Sequence, residues 1–335
     1  MKDYRLPENR REYFTALYKM NLEHGVMPGL VYSVMPFLVN KYHLDHEQRL
    51  WLTALNGNSQ HIITSWRIFK EFPNIPKGKG EQTRFREWFN ANWHSLPFDS
   101  DRKYGKKLLP DFVESYSALV GEFGSQEALL TGSFKDIWDR VITEFVGFGR
   151  LTTYSYLEYV QIMSSIGCSS YGSKCDRLFF EDKSGSRSHR NGMFFLLGMD
   201  DYVCDKRQPN SHDGNYGDMQ KLSDWLTTKA DEYIKTCGIE HKDVGYFTLE
   251  SNLCTTKNHY FARRHPGCYA DMFQDRIEWY DNIEFENLTK VFKEFREDNL
   301  PEWMRRECEA KPMKFSDRSK QFSDTGFPHR GEYFL

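Results

Sequence analysis

No stretch of the 335-residue chain approaches the roughly 18 consecutive apolar residues of a membrane helix. The N-terminal MKDYRLPENRREYF has no apolar segment of the kind a secretory signal needs. Both absences point to a cytoplasmic protein without a membrane partner. The seven cysteines show no paired spacing, which argues against a disulfide framework and for free thiols. Internal repeats and low-complexity tracts are also missing, and convincing alternating strands are scarce. Charge of one sign is not in excess: 45 Lys+Arg stand against 48 Asp+Glu, so any nucleic-acid binding must rest on a local patch. Aromatic residues, by contrast, abound, with 26 Phe, 19 Tyr and 8 Trp in a chain of mean hydropathy −0.70. Such a chain can bury a large core, in one domain or two.

Periodicity reads as helical almost throughout. Phe14, Leu17, Tyr18 and Leu22 share one helix face. Further helical stretches are 30–42, bent or broken at Pro36, then 46–56 with Gly57 as its C-cap, and 62–72 before Pro73. Stretches 81–93, 111–122, 134–145 (with Ser133 as N-cap), 151–163, 219–237 and 269–285 complete the set. The polar segments 182–192 and 205–218 read as loops, the first as a linker. The expected organisation is a helical domain over 1–181, a second helical region over 193–311 and an extended tail over 312–335; a single compact domain remains open.

The densest chemistry lies in 247–277, FTLESNLCTTKNHYFARRHPGCYADMFQDRI. Glu250, Cys254, Lys257, His259, Arg263, Arg264, His265, Cys268, Asp271, Asp275 and Arg276 mix there with Leu249, Leu253, Tyr260, Phe261, Tyr269 and Phe273. Ionisable groups among core residues are costly to bury unless paired, so they suit a reaction site. A polar layer between core and surface is the alternative. Cys254, His259, His265 and Cys268 have metal-ligating side chains, but they lack the short Cys pair and HxxxH spacing of a zinc site, so no metal is assigned.

Three other stretches carry binding chemistry. Between 77 and 107, eight basic residues outnumber four acidic ones and interleave with Phe85, Trp88, Phe89, Trp93 and Tyr104. Rings among cations suit phosphates and bases, with Arg102 and Lys106 the leading contacts; an amphipathic helix and a charged loop would look the same. Within that stretch, FDSDRKYGKK places Asp99 and Asp101 beside Arg102, Lys103 and Lys106, an arrangement for a phosphate-bound Mg²⁺ or for mutual salt bridges. At LNGNSQ, Asn56, Asn58, Ser59 and Gln60 could read the edge of a base, or merely cap two helices. Finally, FVGFG at 145–149 fits the glycine turn of a helix-hairpin-helix near 134–163, where Gly147 and Gly149 let backbone N–H groups approach a phosphate. That hairpin resembles the one in helical DNA glycosylases. Lyase members of that group carry a lysine just after it, where this chain has Leu151, and an aspartate downstream, for which Asp176 is the nearest candidate.

LNGNSQ with TSW, FDSDRKYGK, FVGFG, TLESNLCTTK and RRHPGCYADMFQDRI occur in this order over most of the chain. Together they resemble the amino acid:DNA transferases of bacteriophages, the α-glutamyl/putrescinyl thymine pyrophosphorylases. The resemblance implies a mainly α, DNA-glycosylase-like fold acting in the host cytoplasm. It also implies transfer of an amino acid, glycine or another amine, onto 5-pyrophosphoryloxymethyl uracil in double-stranded phage DNA, with loss of pyrophosphate. That chemistry asks for a carboxylate to take the proton of the amine, for which Glu250 is first choice and Asp271 second. It asks for an arginine fork on the pyrophosphate, supplied by Arg263 and Arg264 with Lys257 in support. Cys254 could add to the pyrimidine ring if its thiolate were accessible, although a buried inert thiol is the plainer reading. Asn56, Asn58 or Gln60 would read a base taken out of the stack. A glycosylase or lyase, and a DNA-binding protein without catalysis, are the competing readings.

Overall fold

Short polar side chains placed before apolar stretches start several helices here. Asp45 accepts from the Gln48 N–H while the Gln48 side chain reaches back to Asp45, and Ser133 and Asp136 repeat this reciprocal cap. The protein is seen in a computed structural model that describes residues 6–26, 28–99, 105–164, 187–196, 245–260 and 264–305, with a few isolated positions such as 102 and 175. Among the described residues there is no strand; the fold is mainly α.

The helices are α1 (Pro7–His24), α2 (Val31–Tyr42), α3 (His46–Ser59), α4 (Ile62–Glu71), α5 (Gly78–Asn92), α6 (Leu109–Phe123) and α7 (Gln126–Leu129). Then come α8 (Phe134–Glu144), α9 (Arg150–Ser164), α10 (Arg187–Leu196), α11 (Gly245–Tyr260), α12 (Cys268–Asp281) and α13 (Glu286–Asn299). Their contacts divide the chain into two units. Unit 1 comprises Met1–Leu30, Cys175–Asp275 and Arg296–Leu335; unit 2 comprises Val31–Lys174 and Arg276–Phe295. A cut at 182–192 would separate α1 from α10 and α11, with which it packs.

Several sequence expectations need correction. Residues 187–192 belong to α10 and are not a loop. Gly57 lies inside α3, and the left-handed C-cap is Gln60 at φ +51. Gly57 is demanded by packing instead, because a Cβ there would stand 2.7 Å from the Tyr156 ring of α9. α2 runs through Pro36. The expected helix 269–285 stops at Asp281, a turn with Glu284 at φ +64 follows, and α13 begins. The expected helix 219–237, the loop 205–218 and the tail after Pro312 lie outside the described residues.

In unit 1, the predicted face of α1 is buried, and α1 meets α11 through two polar pairs. Tyr18 and Thr248 hydroxyls lie 2.7 Å apart, and Asn21 donates to Asn252 at 2.7 Å. Arg10 donates to the Phe195 carbonyl at 3.0 Å near the end of α10 and lies over the Phe195 ring. In unit 2, α3 and α9 form the central pair. Leu50–Ser59 and 156–164 are buried without a break, so these stretches of the two helices are enclosed on all sides.

No helix of the described residues is long and apolar enough to cross a membrane.

Candidate active site

The expected reaction run, 247–277, forms α11, a turn at Gly267 and α12. The division between the two units falls at Asp275, within α12. Most of the polar groups of α11 are held by local partners. Thr256 donates to the Asn252 carbonyl, Asn258 donates to the Cys254 carbonyl at 2.8 Å, and Thr255 meets the Tyr269 hydroxyl at 3.0 Å. Arg264 donates to that same hydroxyl and lies 5.1 Å from the centre of its ring. His265 Nε2 sits 3.1 Å from Asp271, both wholly buried, so the second-choice base is already engaged. Glu250, on α11, is 9% exposed. Cys254 is half-buried and free, whereas burial pushes the Cys268 thiol up to about 11. Lys257 is half-buried. Arg263 lies outside the described residues, and so does the side chain of His259. Among the described residues no three His, Cys, Asp or Glu side chains gather as metal ligands.

A second set of polar groups occupies unit 2, around the C-terminus of α3. Its amides behave differently from one another. Asn56, 1% exposed, donates to the Met35 sulfur at 3.9 Å and accepts from Ser65 at 3.3 Å. Asn58 is fully buried, yet neither its Nδ2 nor its Oδ1 has a hydrogen-bond partner. Buried polar groups are nearly always paired, so an amide orphaned at both ends needs a cause. Further orphaned atoms are Gln60 Nε2, Arg102 Nη2, Arg276 Nη1, Thr153 Oγ1 and Gln161 Oε1. Several of these residues are joined through backbone. Arg102 Nε donates to the Asn58 carbonyl at 2.7 Å, and Arg276 Nη2 donates to the Gln60 carbonyl at 3.4 Å and to Asp99 at 2.6 Å. The Asp99 N–H in turn donates to the Ser59 carbonyl at 3.1 Å.

Neighbouring groups set the charge of this region. Burial holds His61 well below its usual range, and the Arg276 charge adds to that, so the ring is neutral and accepts from the Thr64 N–H. Tyr32 donates to the buried Glu158 at 2.5 Å. Burial raises the Tyr159 phenol, helped by the charges of Glu158 and Asp99, so it stays protonated. Asp99, a candidate Mg²⁺ ligand by sequence, instead pairs with Arg276, and Asp101 lies outside the described residues.

Some cations of the basic segment are engaged, whereas Lys77, Lys79 and Lys107 are exposed. Arg84 pairs with Glu71, and Arg86 with Asp111 and Glu114. Arg102 is only 7% exposed. Lys106 donates to the Trp93 carbonyl with its ammonium 4.4 Å from the Trp93 ring centre, and burial pushes its pKa from 10.5 down to about 8. Below about 8 both folded and unfolded chains hold this proton; between there and 10.5 only the unfolded chain does. Stability contributed by this group therefore rises with pH across that window. Lys106→Met is expected to flatten the rise, and urea denaturation of both proteins at pH 7 to 10 measures it; equal slopes would refute the assignment.

A tight turn with Gly147 at φ +77 lies between α8 and α9. Gly149 is exposed with open space where a Cβ would lie, and Leu151, where lyases carry lysine, is 48% exposed. Asp176 lies outside the described residues. Sequence reading named Asn58, Gln60 and Arg102, but passed over Arg276 as a partner for them. Its position in the ionisable run was visible; its pairing with Asp99, far away in sequence, was not.

A family model described as amino acid:DNA transferase matches residues 29–261, well over half of the chain. A "Serinyltransferase" of Salmonella phage ViI is 26% identical over 328 residues, covering 92% of this chain and 78% of the relative. No solved structure matches.

Proposed function

The chain belongs to the amino acid:DNA transferase family, and from that premise we propose that its substrate is 5-pyrophosphoryloxymethyl uracil in double-stranded phage DNA. The amine nitrogen of an amino acid attacks the exocyclic methylene carbon, the bond from that carbon to the pyrophosphate oxygen breaks, and the nitrogen gives up a proton. The product is a thymine carrying the amino acid through a new C–N bond, together with free pyrophosphate. Serine is the first amine to test, since a relative carries the name serinyltransferase.

The observation that supports this reading best is Asn58. Its carboxamide offers a donor and an acceptor, both buried and unpartnered. Uracil presents the complement at one edge, the N3–H donor beside the O4 acceptor. A base reaches such a group only outside the stack, so the reading includes base flipping or a single-stranded target. Gln60 Nε2 supplies a further donor for the remaining carbonyl. A competing lyase would need an amine where Leu151 stands.

For the proton acceptor the reading keeps Glu250, with Asp271 second because His265 already holds it. Lys257, Arg263, Arg264 and Cys254 stay secondary, Arg264 having committed one donor to Tyr269. The direct experiment incubates the protein with DNA carrying the pyrophosphorylated base and a panel of amino acids, then digests the DNA and analyses its nucleosides. A thymidine carrying the amino acid through its nitrogen, with equimolar pyrophosphate, is expected; unchanged nucleosides with every amine would reject the substrate. In the same assay Glu250→Gln should slow turnover by roughly 10²-fold, as loss of a general base does. Wild-type rates for Glu250→Gln would move the base elsewhere.

A further inference from the structure

Three buried arginines of unit 2 differ in how they are satisfied. Arg67, 9% exposed, donates to the Ser95 carbonyl at 2.5 Å, to the Ser95 hydroxyl at 2.8 Å and to Asn92 at 2.7 Å, and it lies 4.0 Å from the centre of the Phe285 ring. That guanidinium is a finished structural group. Arg102, 7% exposed, makes one side-chain hydrogen bond, to the Asn58 carbonyl, and has no ion pair among the described residues. Its Nη2 is buried without a partner. Arg276, 8% exposed, is anchored by Asp99 and the Gln60 carbonyl through Nη2, while its Nη1 is likewise orphaned. A buried cation without a counter-ion costs several kcal/mol unless something anionic completes it.

Both guanidiniums are tied to the same short strip of backbone, Asn58 and Gln60, and Asp99 joins them, since the Arg102 N–H donates to its carbonyl at 2.7 Å. Among the described residues Asp99 is the one carboxylate that pairs with either guanidinium. The Arg102 guanidinium packs against Gly105, with Gly147 and the Leu108 side chain beyond it. A Cβ at Gly105 would stand 3.0 Å from Arg102 Nη2, and one at Gly147 would stand 4.0 Å away. Burial alone lowers the affinity of Arg102 for its proton, and no carboxylate offsets the effect. A guanidinium remains charged even so.

We infer that Arg102 and Arg276 form a subsite for a phosphoryl oxyanion, and that the pyrophosphoryl group of the modified base occupies it. The orphaned Nη2 of Arg102 and Nη1 of Arg276 donate to its oxygens, beside the amide of Asn58. The choice of pyrophosphate rests on the substrate proposed above; a DNA backbone phosphate shares the same chemistry and is the source to be distinguished. The arrangement stabilises the leaving group as negative charge gathers on it when the C–O bond breaks.

The test is calorimetric titration of inorganic pyrophosphate, and separately of unmodified duplex DNA, into the full-length wild type, Arg102→Gln, Arg276→Gln and Arg102→Lys. Each Gln variant is expected to bind pyrophosphate at least about tenfold more weakly while binding unmodified DNA as the wild type does. Arg102→Lys keeps the charge but loses the fork, and should fall between. It also keeps the test decisive should the Gln variants fail to fold. Unchanged pyrophosphate affinity in the folded variants overturns the subsite, and so does a wild type that binds no pyrophosphate. Loss of affinity for unmodified DNA with pyrophosphate binding intact would assign the arginines to the backbone and equally overturn it. These outcomes do not depend on turnover. A wild type that transfers amino acid while the variants bind pyrophosphate normally sinks only the subsite; one that binds pyrophosphate through these arginines but leaves the modified DNA untouched sinks only the substrate.

Discussion

Asn58→Leu is expected to melt a few degrees above the wild type and yet to transfer amino acid at least about 10²-fold more slowly. The stability gain follows from removing an amide that is fully buried and unpartnered at both ends. Such a group costs about 1–3 kcal/mol, and leucine has nearly the same shape without the polar atoms. The loss of rate follows because a site built to hydrogen-bond a substrate edge discriminates by orders of magnitude once that bond is gone. Asn56→Leu is the control. It removes an amide bonded to Met35 and Ser65, so it should lower the melting temperature. Thermal melts and nucleoside analysis of the three proteins decide the matter. A destabilised Asn58→Leu with wild-type turnover would make Asn58 a structural residue and remove the main support for base reading in unit 2.

Gly192→Ala should produce the largest loss of stability of any glycine-to-alanine change among the described residues of unit 1. A Cβ at Gly192 would stand 2.1 Å from the Leu253 carbonyl oxygen and 2.7 Å from its carbon, where α10 and α11 touch through their backbones. No rotamer change relieves a clash with main chain, so the helices must separate and the polar pairs of α11 with α1 are disturbed. Overpacking of this kind costs about 3 kcal/mol or more. Gly149→Ala is the contrast, with open space at the Cβ, and should be neutral or slightly stabilising. Chemical denaturation of both variants measures the difference. Equal midpoints for Gly192→Ala and the wild type would mean that the two helices do not approach so closely.

What was legible in the sequence was local. The reciprocal caps at Asp45 and Ser133, the apolar face of α1 and the turn at Gly147 each depend on residues within a few positions of one another. The mainly α class followed from these signals, and the family from motifs in a fixed order. α11 escaped the periodicity because it is buried on nearly every side and shows no polar stripe. Gly57 was misread for a related reason. A glycine after an apolar run suits a C-cap, but the close approach of Tyr156 from α9 requires the same residue in mid-helix.

The ionisable groups of 247–277 and the amides of 56–60 were both conspicuous, and composition could not rank them. Sequence alone determined which chemistry the chain carries and the class of protein to which it belongs. Tertiary structure decided which polar groups are spent. His265 with Asp271, Arg264 with Tyr269 and Asn252 with Asn21 are satisfied within unit 1. Asn58, Arg102 and Arg276 are buried in unit 2 with donors left over. The reason is physical: a hydrogen-bond partner is supplied by whichever residue the fold brings within about 3 Å, and that residue can lie hundreds of positions away. Asp99 and Arg276, 177 residues apart in the chain and 2.6 Å apart in the fold, are such a pair.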